Sequence, residues 1–233
     1  MDDRSREELA ALVAGSGLTV AQKIAVFIRY YNGKTGAVSP AWQVSKDAWQ
    51  RYEFLGDRIL NLAAAERLFS GNPSFDEGTM TRKMGIVANE SLAAIARCKS
   101  VDISLLVPAA IGQQQAYGDA IRGGAIEACI GAISECAGFF AARTVARDFL
   151  AGEIEAYDPS ANYIGRLQEH FQQSGQPVPV YAERSRTGPD HQPVFTYSVS
   201  DAEGRILGTG TGSSTAEARQ NAAKDALGAL HLA

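Results

Sequence analysis

Glu53 and Asp57 stand four residues apart in the run Gln50-Arg51-Tyr52-Glu53-Phe54-Leu55-Gly56-Asp57-Arg58-Ile59-Leu60. On a helix that spacing offsets two side chains by only about 40°, so both carboxylates project from one face. Two carboxylates held so close repel, and a divalent cation is the simplest way to relieve them. Oxygen-only ligands suit Mg²⁺ or Mn²⁺. Such ions activate water and stabilise a leaving oxygen during phosphodiester hydrolysis. Taken alone, an acidic pair four apart on a helix is usually a solvated face, so the spacing opens a chemistry without proving it.

Other chemistries find less support. Cys98, Cys129 and Cys136 form no CxxC pair and read as reduced core residues. His170, His191 and His231 are scattered, with no HExxH pattern, which argues against zinc. The run Gly208-Thr209-Gly210-Thr211-Gly212-Ser213-Ser214 looks like a phosphate loop but lacks the following Gly-Lys-Ser/Thr. His191 has no nucleophile or second histidine beside it and reads as a turn residue.

The elements that must position the acidic pair can be read from periodicity. Apolar residues recur at helical spacing from Leu9 to about Tyr31, Trp49 to Phe69, Met80 to Cys98, and Ile121 to about Leu150. Breaks are signalled at Asn32-Gly33 with Ser39-Pro40, at Gly71-Asn72-Pro73 and at Val107-Pro108. Residues 1–152 are therefore expected to form an all-helical domain, and 153–161, with Tyr157-Asp158-Pro159-Ser160, a linker. Residues 162–233 read as a small α+β module in the order αβββα: a helix from Tyr163 to about Gln173, strands Val180–Arg186, Val194–Asp201 and Arg205–Gly210, and a closing helix from about Ser214 to Leu230 capped by Ser213 or Ser214. With 233 residues and 45% hydrophobic content, two domains is the expected organisation. No apolar run approaches the roughly 18 residues that span a bilayer, and the charged start MDDRSREELAALVAG is unlike a signal peptide, so a cytoplasmic protein is expected.

The string Tyr52-Glu53-Phe54-Leu55-Gly56-Asp57 with Ile59-Leu60 closely resembles the signature helix of the ribonuclease III family, ERLEFLGDAVL. The resemblance continues through Asp76-Glu77-Gly78, Met80-Thr81-Arg82, Ile86-Val87 and Leu92-Ala93-Ala94-Ile95-Ala96, and resumes at Ile126-Glu127-Ala128-Cys129-Ile130-Gly131-Ala132. It implies an all-α endonuclease domain that cuts duplex RNA with Mg²⁺, Mn²⁺ being able to substitute, and leaves 5′-phosphate and 3′-hydroxyl ends. It also implies a homodimer and a role in maturing ribosomal and messenger precursors. Matching position by position, it implies catalytic, metal-holding roles for Glu53, Asp57 and Glu127, with Glu77 as an accessory acid.

The sequence departs from the family at several points. The fourth ligand position, three before Glu127, is Gly124. Asp119, eight before Glu127, lies about 12 Å along a continuous helix and reaches the site only if Gly123-Gly124 breaks it. Gln50 replaces the first signature glutamate, Trp49 the preceding asparagine, and of an amino-terminal THRS motif Arg29 alone matches. The leading expectation is a working endoribonuclease; the alternative is a catalytically impaired relative that binds structured RNA.

Residues from about Tyr163 to Leu230 resemble a double-stranded-RNA-binding domain, through Arg166-Leu167-Gln168-Glu169, Gly188-Pro189-Asp190-His191, Pro193-Val194-Phe195, Gly208-Thr209-Gly210 and the helix Ala216 to Lys224. Such modules span about 16 base pairs by touching two minor grooves and the phosphates between. The resemblance places Gln168 and Glu169 in the first groove, His191 in the second, and Ser213, Ser214, Thr215, Arg219 and Lys224 at the phosphates. The common Lys-Lys pair is here Thr215-Ala216. Residues 160–233 hold six Lys and Arg against seven Asp and Glu, a net charge of -1, so weak, salt-sensitive RNA binding is expected.

Overall fold

In a computed structural model, which describes residues 3–15, 17–35, 41–108, 111, 117–189 and 193–232, the chain divides into two compact units, Met1–Tyr157 and Asp158–Ala233. The first contains helices α1 (Asp3–Ala14), α2 (Val20–Thr35), α3 (Lys46–Gly71), α4 (Glu77–Lys83), α5 (Asn89–Cys98), α6 (Asp119–Ala137), α7 (Phe139–Leu150) and the single turn α8 (Glu153–Ala156). The second runs α9 (Tyr163–Gln173), β1 (Val180–Thr187), β2 (Val194–Ser200), β3 (Ile206–Gly212) and α10 (Thr215–Ala229).

Three of the four long periodic runs prove to be pairs of helices, α1 with α2, α4 with α5 and α6 with α7. Glycines in the left-handed region, Gly17 at φ 101° and Gly138 at φ 91°, turn the chain between α1 and α2 and between α6 and α7. The break expected at Asn32-Gly33 comes slightly later, since α2 runs on to Thr35. Asn32 lies inside α2, buried, donating to the Ala41 carbonyl at 2.8 Å and accepting from the Gln43 N–H at 3.0 Å. Ser39-Pro40 lies outside the described residues. The stretch expected as linker is partly ordered helix, because α8 buries Ile154 in the core of the first unit.

Helix α6 is the axis of the first unit. From Gly123 to Ile133 every residue is buried, the signature of a helix packed on all sides. Glu127 is the one acid in that run. Helix α3 starts at Ser45, whose hydroxyl accepts from the Ala48 N–H at 3.2 Å, and crosses α6 at a pair of glycines. A Cβ on Gly56 would stand 1.7 Å from the Glu127 carbonyl oxygen, and one on Gly131 2.0 Å from that of Tyr52. This close approach fixes the signature helix against Glu127. A second anchor is aromatic: Trp42, fully buried, stacks on Tyr52 with ring centroids 5.9 Å apart and meets Tyr31 edge-on at 5.6 Å.

In the second unit the antiparallel sheet is ordered β1-β2-β3. Its glycine-rich third strand has a packing reason. A Cβ on Gly208, Gly210 or Gly212 would fall within 2.2 to 2.6 Å of the α10 backbone, so the glycines let an alanine-lined helix lie directly on the strand. The segment is a strand under a helix, in keeping with its rejection as a phosphate loop. Ser214 caps α10, accepting from the Glu217 N–H at 3.1 Å. Of the cysteines read as core, Cys129 is buried, Cys136 is partly buried and Cys98 is exposed; the last is a correction, since it sits at the solvent-facing end of α5.

Candidate functional site

The α3–α6 crossing brings the acids together. Glu53 and Asp57, half-buried, leave one face of α3, and Glu127 leaves α6 with only 8% of its surface exposed. Burial, and then the negative charges of Asp57 and Glu53, push the Glu127 carboxyl up to about 7, against the opposing pull of Arg58. Burial also raises Glu53. Three carboxylates from two helices thus share one region of negative potential.

Both oxygens of Asp57 have donors. The Arg58 guanidinium donates to Oδ2, and the Asn61 amide donates to Oδ1 at 2.7 Å. Among the described residues no three Asp, Glu, His or Cys side chains converge tightly enough to form a ligand cage. The donor set nevertheless suits a hard cation: all oxygen, net negative, and including a buried carboxylate whose raised proton affinity reports an uncompensated charge. Magnesium usually keeps several of its waters, so three carboxylates need not close around it.

Gly124 faces this cluster. A Cβ there would meet Glu53 Oε1 at 2.6 Å and the Trp49 ring at 3.2 Å. Trp49, where the family has asparagine, is buried and donates its indole N–H to the Leu106 carbonyl at 3.3 Å. An added carboxylate fits only by pushing Glu53 aside. Gly124→Asp is therefore expected to lower the melting temperature of the metal-free protein and to enlarge the stabilisation by Mg²⁺. A thermal melt with and without Mg²⁺ reads both, and an unchanged metal-free melting temperature would refute the crowding.

Asp119 is not a substitute. Helix α6 runs unbroken through Gly123-Gly124, where Gly123 packs against Asn89, and Asp119 pairs with Arg97 at 2.7 Å at the start of the helix. Glu77 lies exposed on α4, accepting from the Thr81 hydroxyl at 3.0 Å. Arg58 went unremarked in the sequence, although a cation directly after Asp57 was a visible signal. The role of Gly56 and Gly131 in the helix crossing was not visible there.

In the second unit, Gln168 and Glu169 lie on α9, half-buried and exposed respectively, and His191 falls outside the described residues. Ser213 donates from both its N–H and its hydroxyl to Glu217, at 2.8 and 2.7 Å, while Thr215 is exposed at the first turn of α10. The Arg219 guanidinium lies 5.0 Å from the centre of the Tyr181 ring, and the Lys224 ammonium 5.4 Å from that of Tyr163. Arg186 covers Phe195, Arg184 donates to Ser198, Arg205 pairs with Asp201 and Arg166 donates to the Leu232 carbonyl. All six cations of the module are thus engaged within it.

Comparison with known proteins gives these features a family. Residues 42–154 match the model described as Ribonuclease-III-like, and residues 163–230 match the double-stranded RNA binding motif. A relative in Magnetococcus marinus named Ribonuclease 3 is 34% identical over 185 residues, covering 76% of this chain and 74% of the relative. One of the same name in Methylocella silvestris is 37% identical over 164 residues, 70% of each. Another, in Caulobacter vibrioides, is 37% identical over 188 residues, 76% of this chain and 77% of the relative. With both units matched and the acids of α3 and α6 brought to one crossing, the chain belongs to the ribonuclease III family of endoribonucleases.

Proposed function

We propose that this protein hydrolyses phosphodiester bonds in duplex RNA during the maturation of structured precursors, ribosomal or messenger. Glu53, Asp57 and Glu127 would hold Mg²⁺, with Mn²⁺ as a substitute. The observation that carries the reading is the approach of Glu127 to Glu53 and Asp57 at the glycine-lined α3–α6 crossing. When bound, a divalent ion supplies Lewis acidity and charge neutralisation at the phosphodiester. The chain's own part is to hold three carboxylates at fixed spacing on two rigid helices, with Glu127 kept largely from water. Asn61 fixes the rotamer of Asp57. Glu77, nearer solvent, is assigned the accessory acidic position.

The test is cleavage of a perfect duplex in Mg²⁺ or Mn²⁺, with the product ends identified. Cuts on both strands that leave 5′-phosphates sensitive to phosphatase are expected. A folded protein that leaves the duplex intact in both metals would overturn the reading.

The second unit is assigned to duplex recognition through Gln168, Glu169, His191, Ser213, Ser214, Thr215, Arg219 and Lys224. Its negative charge and engaged cations predict weak binding, and what affinity there is should fall with salt, by about 0.9 in the log–log slope for each phosphate the module does neutralise. A binding titration of an uncleaving variant at several salt concentrations measures it; a flat response would contradict it. A homodimer is also proposed, with α3 as its contact. Phe54 is 67% and Leu55 39% exposed, and Leu62 and Phe69 continue the apolar stripe, whereas Ile59 belongs to the core. A monomeric mass by light scattering would refute it.

A further inference from the structure

We infer that Arg58 is a built-in cation of the nuclease centre, supplying the charge a second divalent ion would otherwise bring and contacting a phosphate of the bound duplex. The inference rests on the metal-assisted reading proposed above.

Three observations carry it. First, Arg58 turns onto its immediate neighbour, Asp57, although adjacent side chains on a helix do not face one another. Second, it is held there from below, with its guanidinium 5.3 Å from the centre of the Phe54 ring. Third, its side chain is 65% exposed, which leaves N–H groups free on the solvent side, where a duplex must approach. An isolated surface pair of this kind would contribute little to stability. Here it lies inside a cluster whose other members are all acids.

The charge balance makes the point specific. With their carboxyls ionised, Glu53, Asp57 and Glu127 bring three negative charges, Gly124 brings none, and the Arg58 guanidinium returns one positive charge. One divalent ion neutralises what remains. The guanidinium's planar fork also matches the geometry of a phosphate, so the same group can steady a polyanion that three carboxylates would otherwise repel.

Manganese titration of the full chain, followed by the loss of the free-ion paramagnetic resonance signal, tests this. One tightly bound Mn²⁺ per chain is expected at pH 8. Arg58→Met should bind Mn²⁺ about tenfold more tightly, since a competing charge has gone, while KM for duplex rises about tenfold. Arg58→Lys keeps the charge without the fork; it should restore the Mn²⁺ affinity but only part of the KM. Two tight ions per wild-type chain, or an Arg58→Met protein with unchanged Mn²⁺ affinity, would overturn the role of Arg58 and leave the metal-assisted reading standing. No bound Mn²⁺ in any of the proteins would overturn both.

Discussion

Replacing Glu127 by glutamine is expected to lower kcat on duplex RNA about a thousandfold while raising the melting temperature of the metal-free protein at pH 8. The two effects have one cause. Glu127 is buried beside two other carboxylates, so its carboxyl titrates near 7 rather than in the ordinary range. From about pH 4.5, the ordinary value for a glutamate, up to about 7, the folded protein therefore keeps a proton that the unfolded chain has already given up. Stability is lost as pH rises through that window, and above it a charged group stays buried next to like charges. Glutamine has the same shape and no charge, and its amide can donate to Glu53 or Asp57. Below about pH 4.5 the two proteins should melt alike; at pH 8 the variant should melt higher. Mg²⁺ should reverse the order by stabilising the wild type more than the variant. The loss of activity follows from the loss of a charged ligand, because metal stabilisation of a transition state amounts to several kcal/mol and about 4 kcal/mol is about a thousandfold in rate. A folding defect would move both readouts downward together. A variant that melts lower at pH 8, or that still cuts at the wild-type rate, would remove Glu127 from the centre.

Much of this centre was legible in the residues. The four-residue spacing of Glu53 and Asp57 fixes their common face on any helix, and the strings around Glu53 and Glu127 were specific enough to imply partnership across 74 positions. The three strands of the second unit were also legible, since β-branched and aromatic residues between glycine turns mark them directly, although β3 runs to Gly212 rather than Gly210. What periodicity could not reveal was where a helical run turns. Gly17 and Gly138 look like tolerable interior glycines, and only their positive φ shows that the chain turns there; Asn32-Gly33 looks like the break itself, yet the helix runs on to Thr35 with the Asn32 amide held by distant partners. Asp119 was undecidable for a related reason. Whether it reaches the site depends on helix continuity at Gly123-Gly124, and that continuity comes from packing against Asn89 on another element. Arg58 was in plain view, but its side-chain direction depends on the surrounding field.

The glycines at the α3–α6 crossing support the second large prediction. Gly56→Ala is expected to destabilise the first unit by about 3 kcal/mol or more and to slow cleavage about a hundredfold. Alanine at an open helix position does the opposite, stabilising by roughly 0.5–1 kcal/mol, and Gly33, inside α2 with nothing within 4 Å of a built Cβ, provides that control. At Gly56 the new methyl would stand 1.7 Å from the Glu127 carbonyl oxygen and the Gly131 nitrogen is 2.9 Å away, both backbone atoms that no rotamer change can move. The helices must separate. Since Glu53 and Asp57 ride on one and Glu127 on the other, the same displacement that costs stability spreads the acids, and about an ångström of misplacement is enough for a hundredfold loss of rate. Both tryptophans, Trp42 and Trp49, belong to the first unit, so their fluorescence during denaturation isolates its unfolding from that of the RNA-binding module. Gly131→Ala, meeting the Tyr52 carbonyl from the other side at 2.0 Å, should behave alike, and combining the two should cost less than the sum, because the first methyl already forces the gap that the second would fill. A Gly56→Ala protein as stable as the wild type would mean that the crossing is looser than these distances require, and that the acids owe their proximity to something other than this contact.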